Sequence, residues 1–156
     1  MRLVADTSVI IAAILESEPR HVESNRVLTQ ATHVFLTPHV SAEVYYLLAA
    51  AGYHQAAQCF LSDISGGFYE LVNPDAADYE VAKELIQHYE GKTHRKKPKS
   101  GSLDMADAMN VIAAARQETT MIATLDQDYR IVKPLSGPAY FTLVPDDSVS
   151  PGIATY

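Results

Sequence analysis

Apolar residues come along this chain in short runs that alternate with helical spacings. "RLVA" is an apolar run stopped by Asp6, and it reads as a short buried strand over residues 2–5. "VIIAAILE" then reads as a helix that Thr7 or Ser8 can cap, and "SEP" breaks it. A second helix is predicted over residues 20–30, followed by a strand in "HVFLT" that Pro38 ends. From His39 to Ala51 the apolar positions Val40, Val44, Leu47, Leu48 and Ala51 repeat with helical period, and Gly52 closes that helix. Residues 54–64 read as a helix, "GGFYELV" as a strand, and 75–90 as a helix after Pro74. A basic loop occupies 91–102. "LDMADAMNVIAAARQ" is a helix, "MIAT" a strand, "DQDYR" a short helical turn and "YFTLV" a last strand.

Short strands alternating with helices predict βαβ units on a mainly parallel sheet. Right-handed crossovers then give a three-layer α/β/α sandwich. Neither an internal repeat nor a linker divides the chain. One domain is expected over 1–144, followed by a Pro-, Gly-, Ser- and Asp-rich tail over 145–156 that reads as loosely held.

Composition narrows the picture. The longest apolar helical run, "VIIAAIL", falls far short of the roughly 18 residues a membrane span needs. A leader peptide is not expected, since Asp6 interrupts the start. The single cysteine, Cys59, precludes an internal disulfide framework, fits a reducing cytoplasm and reads as a small buried apolar residue. The formal net charge of −7 argues against a broad nucleic-acid-coating surface. That charge is uneven, because "KTHRKKPK" holds five of the twelve basic residues. An acidic body with one basic loop is the result.

The acids carry the chemistry. Parallel sheets bind ligands at the carboxyl ends of their strands, and two strands here end in an acid: Asp6 after "RLVA" and Asp126 after "MIATL". Glu43 lies within the apolar stripe of its helix, and Asp107 lies four residues from both Leu103 and Val111, again on the inward side. A buried, unpaired carboxylate costs several kcal/mol or is neutralised. Four such acids suggest a shared cationic partner, and hard Mg²⁺ or Mn²⁺ suits clustered carboxylates. Each acid alone also has a plainer reading. Asp6 and Asp126 fit helix caps, Glu43 an exposed neighbour of the stripe, and Asp107 a first-turn acid favoured by the helix dipole. Asp104, three residues before Asp107, fits a cap, and Asp128 a solvated acid.

In series, "VADTSVIIAAI", "TPHVSAEVYYLL", "SLDMADAMNVIAAA" and "IATLDQDY" make the chain resemble a PIN domain over about residues 1–130. That resemblance implies a divalent-metal nuclease on a parallel α/β/α sheet, with catalytic and metal-binding acids at Asp6, Glu43, Asp107 and Asp126. Thr124 matches the family's turn threonine, and Thr7 or Ser8 the polar residue after the first acid. Where many relatives carry Ser or Thr, this chain has Asp104, which either caps its helix or adds a fifth carboxylate. The short length resembles the VapC-like toxins of toxin–antitoxin pairs. They imply endoribonuclease action on structured RNA, a homodimer, and a small antitoxin protein over the acidic groove.

On this reading one or two metal ions on the four acids activate water and polarise a phosphodiester, so no nucleophilic side chain is needed. Bound cations also let an acidic pocket accept a polyanion. Arg95, Lys96 and Lys97 are candidates to hold flanking phosphates, the alternative being a solubilising loop. Arg116 and Arg130 read as solvated. Tyr45, Tyr46 and Tyr129 read as core or interface rim rather than base-stacking residues, and the six histidines show no metal-ligand spacing. A phosphoaspartyl transferase of the haloacid-dehalogenase kind wants a second acid where this chain has Ser8. A receiver domain wants an acidic pair that is absent near Asp6. The remaining alternatives are an RNA-processing PIN nuclease without an antitoxin and a non-catalytic PIN-like RNA- or protein-binding module.

Overall fold

A computed structural model describes residues 1–90 and 103–147. The basic loop, with Arg95, Lys96 and Lys97, and the tail from residue 148 lie outside the described residues. Five strands form the sheet: β1 (Arg2–Ala5), β2 (His33–Leu36), β3 (Glu70–Leu71), β4 (Met121–Ala123) and β5 (Thr142–Val144). Six helices accompany them: α1 (Thr7–Ile14), α2 (His21–Gln30), α3 (Pro38–Ala50), α4 (His54–Ser65), α5 (Ala76–Tyr89) and α6 (Met105–Arg116). A single 3₁₀ turn covers Gln127–Arg130. The predicted elements are thus present, although "GGFYELV" yields only a two-residue strand.

The strand order is β3-β2-β1-β4-β5, and every neighbouring pair is parallel. β1 is therefore central, and the chain leaves it in one direction to β2 and returns on its other side at β4. That reversal of strand order leaves a crevice at the carboxyl edge, between the ends of β1 and β4.

Alternation along the strands separates two cores. Leu3, Ala5, Val34, Leu36 and Ala123 face Val9 and Ile10 of α1, Val27 and Leu28 of α2, Val40, Val44 and Leu48 of α3, and Phe60 of α4. Val4, Phe35, Ile122 and Leu143 face the opposite way, onto Ala82 and Tyr89 of α5 and the run from Ala108 to Ala114 of α6. Helices on both faces of one sheet make the three-layer α/β/α sandwich. Side chains such as Leu3 and Ile122 have no exposed surface, and burial of this kind stabilises by about 1.5–3 kcal/mol each.

Local signals set the helix ends. Thr37 caps α3 by accepting from Val40 N, with Pro38 at the first helical position where no N–H is needed. Gly52, at φ 86°, turns the chain after α3 in a region that side chains avoid. Cys59 departs from its expected burial: it is exposed, because α4 buries Ala57 and Phe60 and turns Cys59 to the opposite side. The start of the tail is bonded. Asp147 N donates to Leu143 O, Leu143 N donates to Asp147 Oδ2, and Asp146 and Asp147 pair with Arg20 and Arg130. Ordered contacts therefore run through Asp147.

Candidate metal centre

Asp6 stands at the crevice. The β1–β4 ladder continues into it, since Asp6 N donates to Ala123 O at 2.9 Å. It occupies the N-cap position of α1 with extended backbone, yet its side chain makes no cap hydrogen bond. Helix α1 begins at Thr7, so neither Thr7 nor Ser8 caps it as the sequence suggested. Their hydroxyls go elsewhere. Ser8 Oγ and Thr124 Oγ1 both donate to Asp6 Oδ2 at 2.8 Å, and Asn110 Nδ2 donates to Oδ1 at 3.3 Å. Ser8 in turn accepts from Leu125 N, and Thr124 from Asp126 N, each at 2.9 Å. Two hydroxyls thus stitch the ends of β1 and β4 around one carboxylate.

Among the described residues, the groups acting on Asp6 are hydroxyls, amides and a second carboxylate. Burial pushes its pKa above the ordinary aspartate value. Bonds from Ser8, Thr124 and the Thr7 backbone pull it down, and the charge of Asp126 pushes it up again. This is a buried anion held by neutral donors.

The other acids approach from three directions. Asp107 is buried at the third position of α6. There it shares a reciprocal capping box with Asp104: Asp107 N donates to Asp104 Oδ1 at 2.9 Å, and Asp104 N donates to Asp107 Oδ2 at 3.3 Å. Asp104 is therefore a cap. Asp126 is the N-cap of the 3₁₀ turn and accepts from Asp128 N at 2.8 Å. Asp128, read as solvated, is buried.

Glu43 corrects the inward placement expected for it. The buried stripe of α3 is Val40, Val44 and Leu48, while Leu47, which made the stripe look wider, is 42% exposed. Glu43 is exposed beside that stripe, and its Oε2 accepts from Thr7 Oγ1 at 2.5 Å. The residue next to Asp6 thus holds Glu43 at the crevice.

Two site residues escaped sequence reasoning. Asn110 is fully buried, and its Nδ2 donates both to Asp6 and to Tyr129 Oη, the latter at 3.0 Å. Tyr129 is also buried, and its phenol lies far above its usual range. Burial is the first cause, followed by the charges of Asp107 and Asp6. The available signal was spacing: Asn110 follows Asp107 by three residues on one helix face. Arg116 and Arg130 are exposed, as expected, and form surface pairs, Arg116 with Asp78 and Arg130 with Asp147. Tyr46 is 68% exposed and Tyr45 also lies at the surface, while the Tyr129 hydroxyl faces the acids.

Among the described residues no three carboxylates converge round one point as a ready-made metal cage. Glu43 is turned to Thr7, Asp107 and Asp126 to backbone amides. The donor chemistry nonetheless fits a hard dication. Every candidate ligand is a carboxylate oxygen, no cation among the described residues acts on the buried Asp6, and Mg²⁺ takes only one or two protein carboxylates beside water.

Residues 3–134 match the PIN domain family. The chain is 30% identical to Ribonuclease VapC26 of Mycobacterium tuberculosis over 145 residues, covering 92% of this chain and all of that protein. Its fold is similar to the crystal structure of Mycobacterium tuberculosis VapC20, a sarcin–ricin-loop-cleaving toxin. That match has a TM-score of 0.66 and 20% identity, over 81% of this chain and 91% of the other. It is similar as well to a chain of VapBC2 from Rickettsia felis bound to a promoter DNA fragment, with a TM-score of 0.59 and 17% identity over 86% and 96% of the two chains. Among the described residues no helix is long and apolar enough to cross a membrane. By its match across both the central sheet and the acid-bearing helices, this chain belongs to the PIN domain family.

Proposed function

We propose that this chain is a divalent-metal-dependent endoribonuclease that cleaves structured RNA and serves as the toxin of a toxin–antitoxin pair. The observation that carries the reading is the buried Asp6, held by Ser8, Thr124 and Asn110 at the carboxyl edge where Asp107, Asp126 and Glu43 approach. Likeness to a named ribonuclease across nearly the whole chain supports it.

Asp6, Glu43, Asp107 and Asp126 would hold Mg²⁺ or Mn²⁺. When bound, the dication supplies the Lewis acidity that polarises a phosphodiester and activates water. The chain's own part is positioning. Ser8 and Thr124 fix the Asp6 carboxylate with both of their hydroxyl hydrogens, so its oxygens keep one orientation on a rigid strand end. Thr7 restrains Glu43 at the crevice through its hydroxyl. Arg95, Lys96 and Lys97 would hold phosphates flanking the cut. A homodimer and a small antitoxin seated over the acidic crevice complete the proposal, the latter supported by likeness to a protein of a VapBC complex.

The test sets purified protein against structured RNAs with Mg²⁺, with Mn²⁺ and with EDTA, beside Asp6→Asn. Cleavage by the wild type with metal alone is expected. Equal cleavage by Asp6→Asn would sink the mechanism, and tight RNA binding without cleavage would favour a non-catalytic module.

A further inference from the structure

We infer that Asn110 and Tyr129 form a hydrogen-bonded bridge that sets the spacing of Asp6 and Asp107 for metal binding. Both are positioning residues, and the inference rests on the proposed metal site. The bridge has a direction that elementary chemistry assigns. An amide nitrogen has two hydrogens, and here one goes to Asp6 Oδ1 and the other to Tyr129 Oη. The phenol oxygen is thereby used as an acceptor, which leaves its own hydrogen to donate. Its hydrogen-bond partner is the Asp107 carboxylate, which accepts. Asn110 therefore donates to both Asp6 and Tyr129, and Tyr129 donates to Asp107, so every hydrogen on the path meets an acceptor without conflict.

The amide orientation is itself set. Thr37 Oγ1 donates to Asn110 Oδ1 at 3.4 Å, so the oxygen of the amide faces Thr37 and the nitrogen faces the acids. Thr37 is also the cap of α3, the helix that carries Glu43. One buried asparagine therefore touches the ends of β1 and β2 and the 3₁₀ turn that Asp126 caps, while standing on the helix of Asp107. The acids come from four separate elements, and Asn110 links all four. A network satisfied at each member in a dry interior rigidifies what it joins. The rings add packing: Tyr129 meets Phe141 edge-on, with centroids 6.5 Å apart.

Tyr129→Phe tests this with least disturbance, because the ring stays in the core and only the hydroxyl is lost. Asn110→Ala removes the hub. Mn²⁺ affinity is measured by calorimetry, kcat and KM on the cleaved RNA, and thermal stability in EDTA. Outer partners of metal ligands are worth about 10–100-fold in affinity or activity. A loss in that range is expected for Mn²⁺ affinity and kcat in Tyr129→Phe, with KM for RNA unchanged and a melting curve that stays cooperative. Asn110→Ala should lose more. Wild-type Mn²⁺ affinity in Tyr129→Phe would overturn the bridge, whatever the melting temperature does. Wild-type protein that binds Mn²⁺ but cuts no RNA would overturn the nuclease reading alone, and the affinities of the variants would still decide the bridge. Failure of the wild type to bind Mn²⁺ would overturn both.

Discussion

Thr124 and Asp6 lie 118 positions apart in the chain and are joined by a 2.8 Å hydrogen bond at the ends of two adjacent central strands. The same hydroxyl accepts from Asp126 N, so one threonine orients one acid and anchors the turn of another. Thr124→Val keeps the shape and removes both bonds. Cleavage should fall about 10–100-fold, as for other partners of metal ligands. Stability should fall by about 1–3 kcal/mol, because a buried acceptor loses its donor. Paired cleavage assays and denaturant melts check this, and Thr124→Ser should restore most of the activity.

Asp6 makes metal-free stability depend on pH in an unusual direction. Its folded pKa is raised above 3.8, chiefly by burial. Between the two values the native state keeps a proton that the unfolded chain has released. The stabilisation is fully present below 3.8 and is lost as the pH rises through the folded value. Asp147 works oppositely: Arg130 holds its pKa down, so its contribution is present above 3.8 and lost as the pH falls. In EDTA, melts should show wild-type stability dropping toward neutral pH relative to Asp6→Asn, and added Mg²⁺ should close the gap. A parallel pH course for the two proteins would refute this reading.

Thr7 holds Glu43 across the gap between α1 and α3. Thr7→Val should cost about 0.5–1.5 kcal/mol, the net worth of one such bond. Because Glu43 is exposed, the loss should fall on metal affinity rather than on folding, read as a rise in the Mg²⁺ concentration at half-maximal cleavage.

Asp104 caps α6 through a reciprocal box with Asp107. Asp104→Ala should destabilise by about 0.5–2 kcal/mol, whereas Asp104→Ser should retain most of the capping. Metal affinity should be unchanged in Asp104→Ser. A loss there equal to that of Asp107→Asn would make Asp104 a ligand instead.

The proposed phosphate contacts of Arg95, Lys96 and Lys97 are read from salt. Each phosphate contact contributes about 0.7 to the slope of log affinity against log salt for single strands. Replacing all three by Ala in an Asp6→Asn background, which binds without cutting, should flatten that slope. An unchanged slope would leave the loop as a solubilising segment.

Much of the architecture was legible in the pattern. Alternating strand and helix periods predict the parallel sheet, and acids after two strands mark its ligand edge, because burial leaves its trace in every side chain of an element. Glu43 was misplaced because Leu47 resembles a core residue and is exposed. Thr7 and Ser8 resembled caps because hydroxyls at a helix start commonly are. Here the buried charge of Asp6 and the nearby Glu43 compete for the same hydrogens and win them. Asn110 offered only its spacing from Asp107 and Tyr129 no sign of its role, since a polar residue in a helix and a tyrosine in a turn are ordinary.

The sequence by itself determined the three-layer arrangement of helices on a parallel sheet and the acids that end two of its strands, both of which follow from local periodicity and from carboxylates set where apolar runs stop. Only the tertiary structure decided which hydroxyl serves which acid, that Asp104 caps, and that one asparagine joins elements from four parts of the chain. Hydrogen bonds are short and directional, so their partners depend on where distant segments meet once the sheet has closed its register.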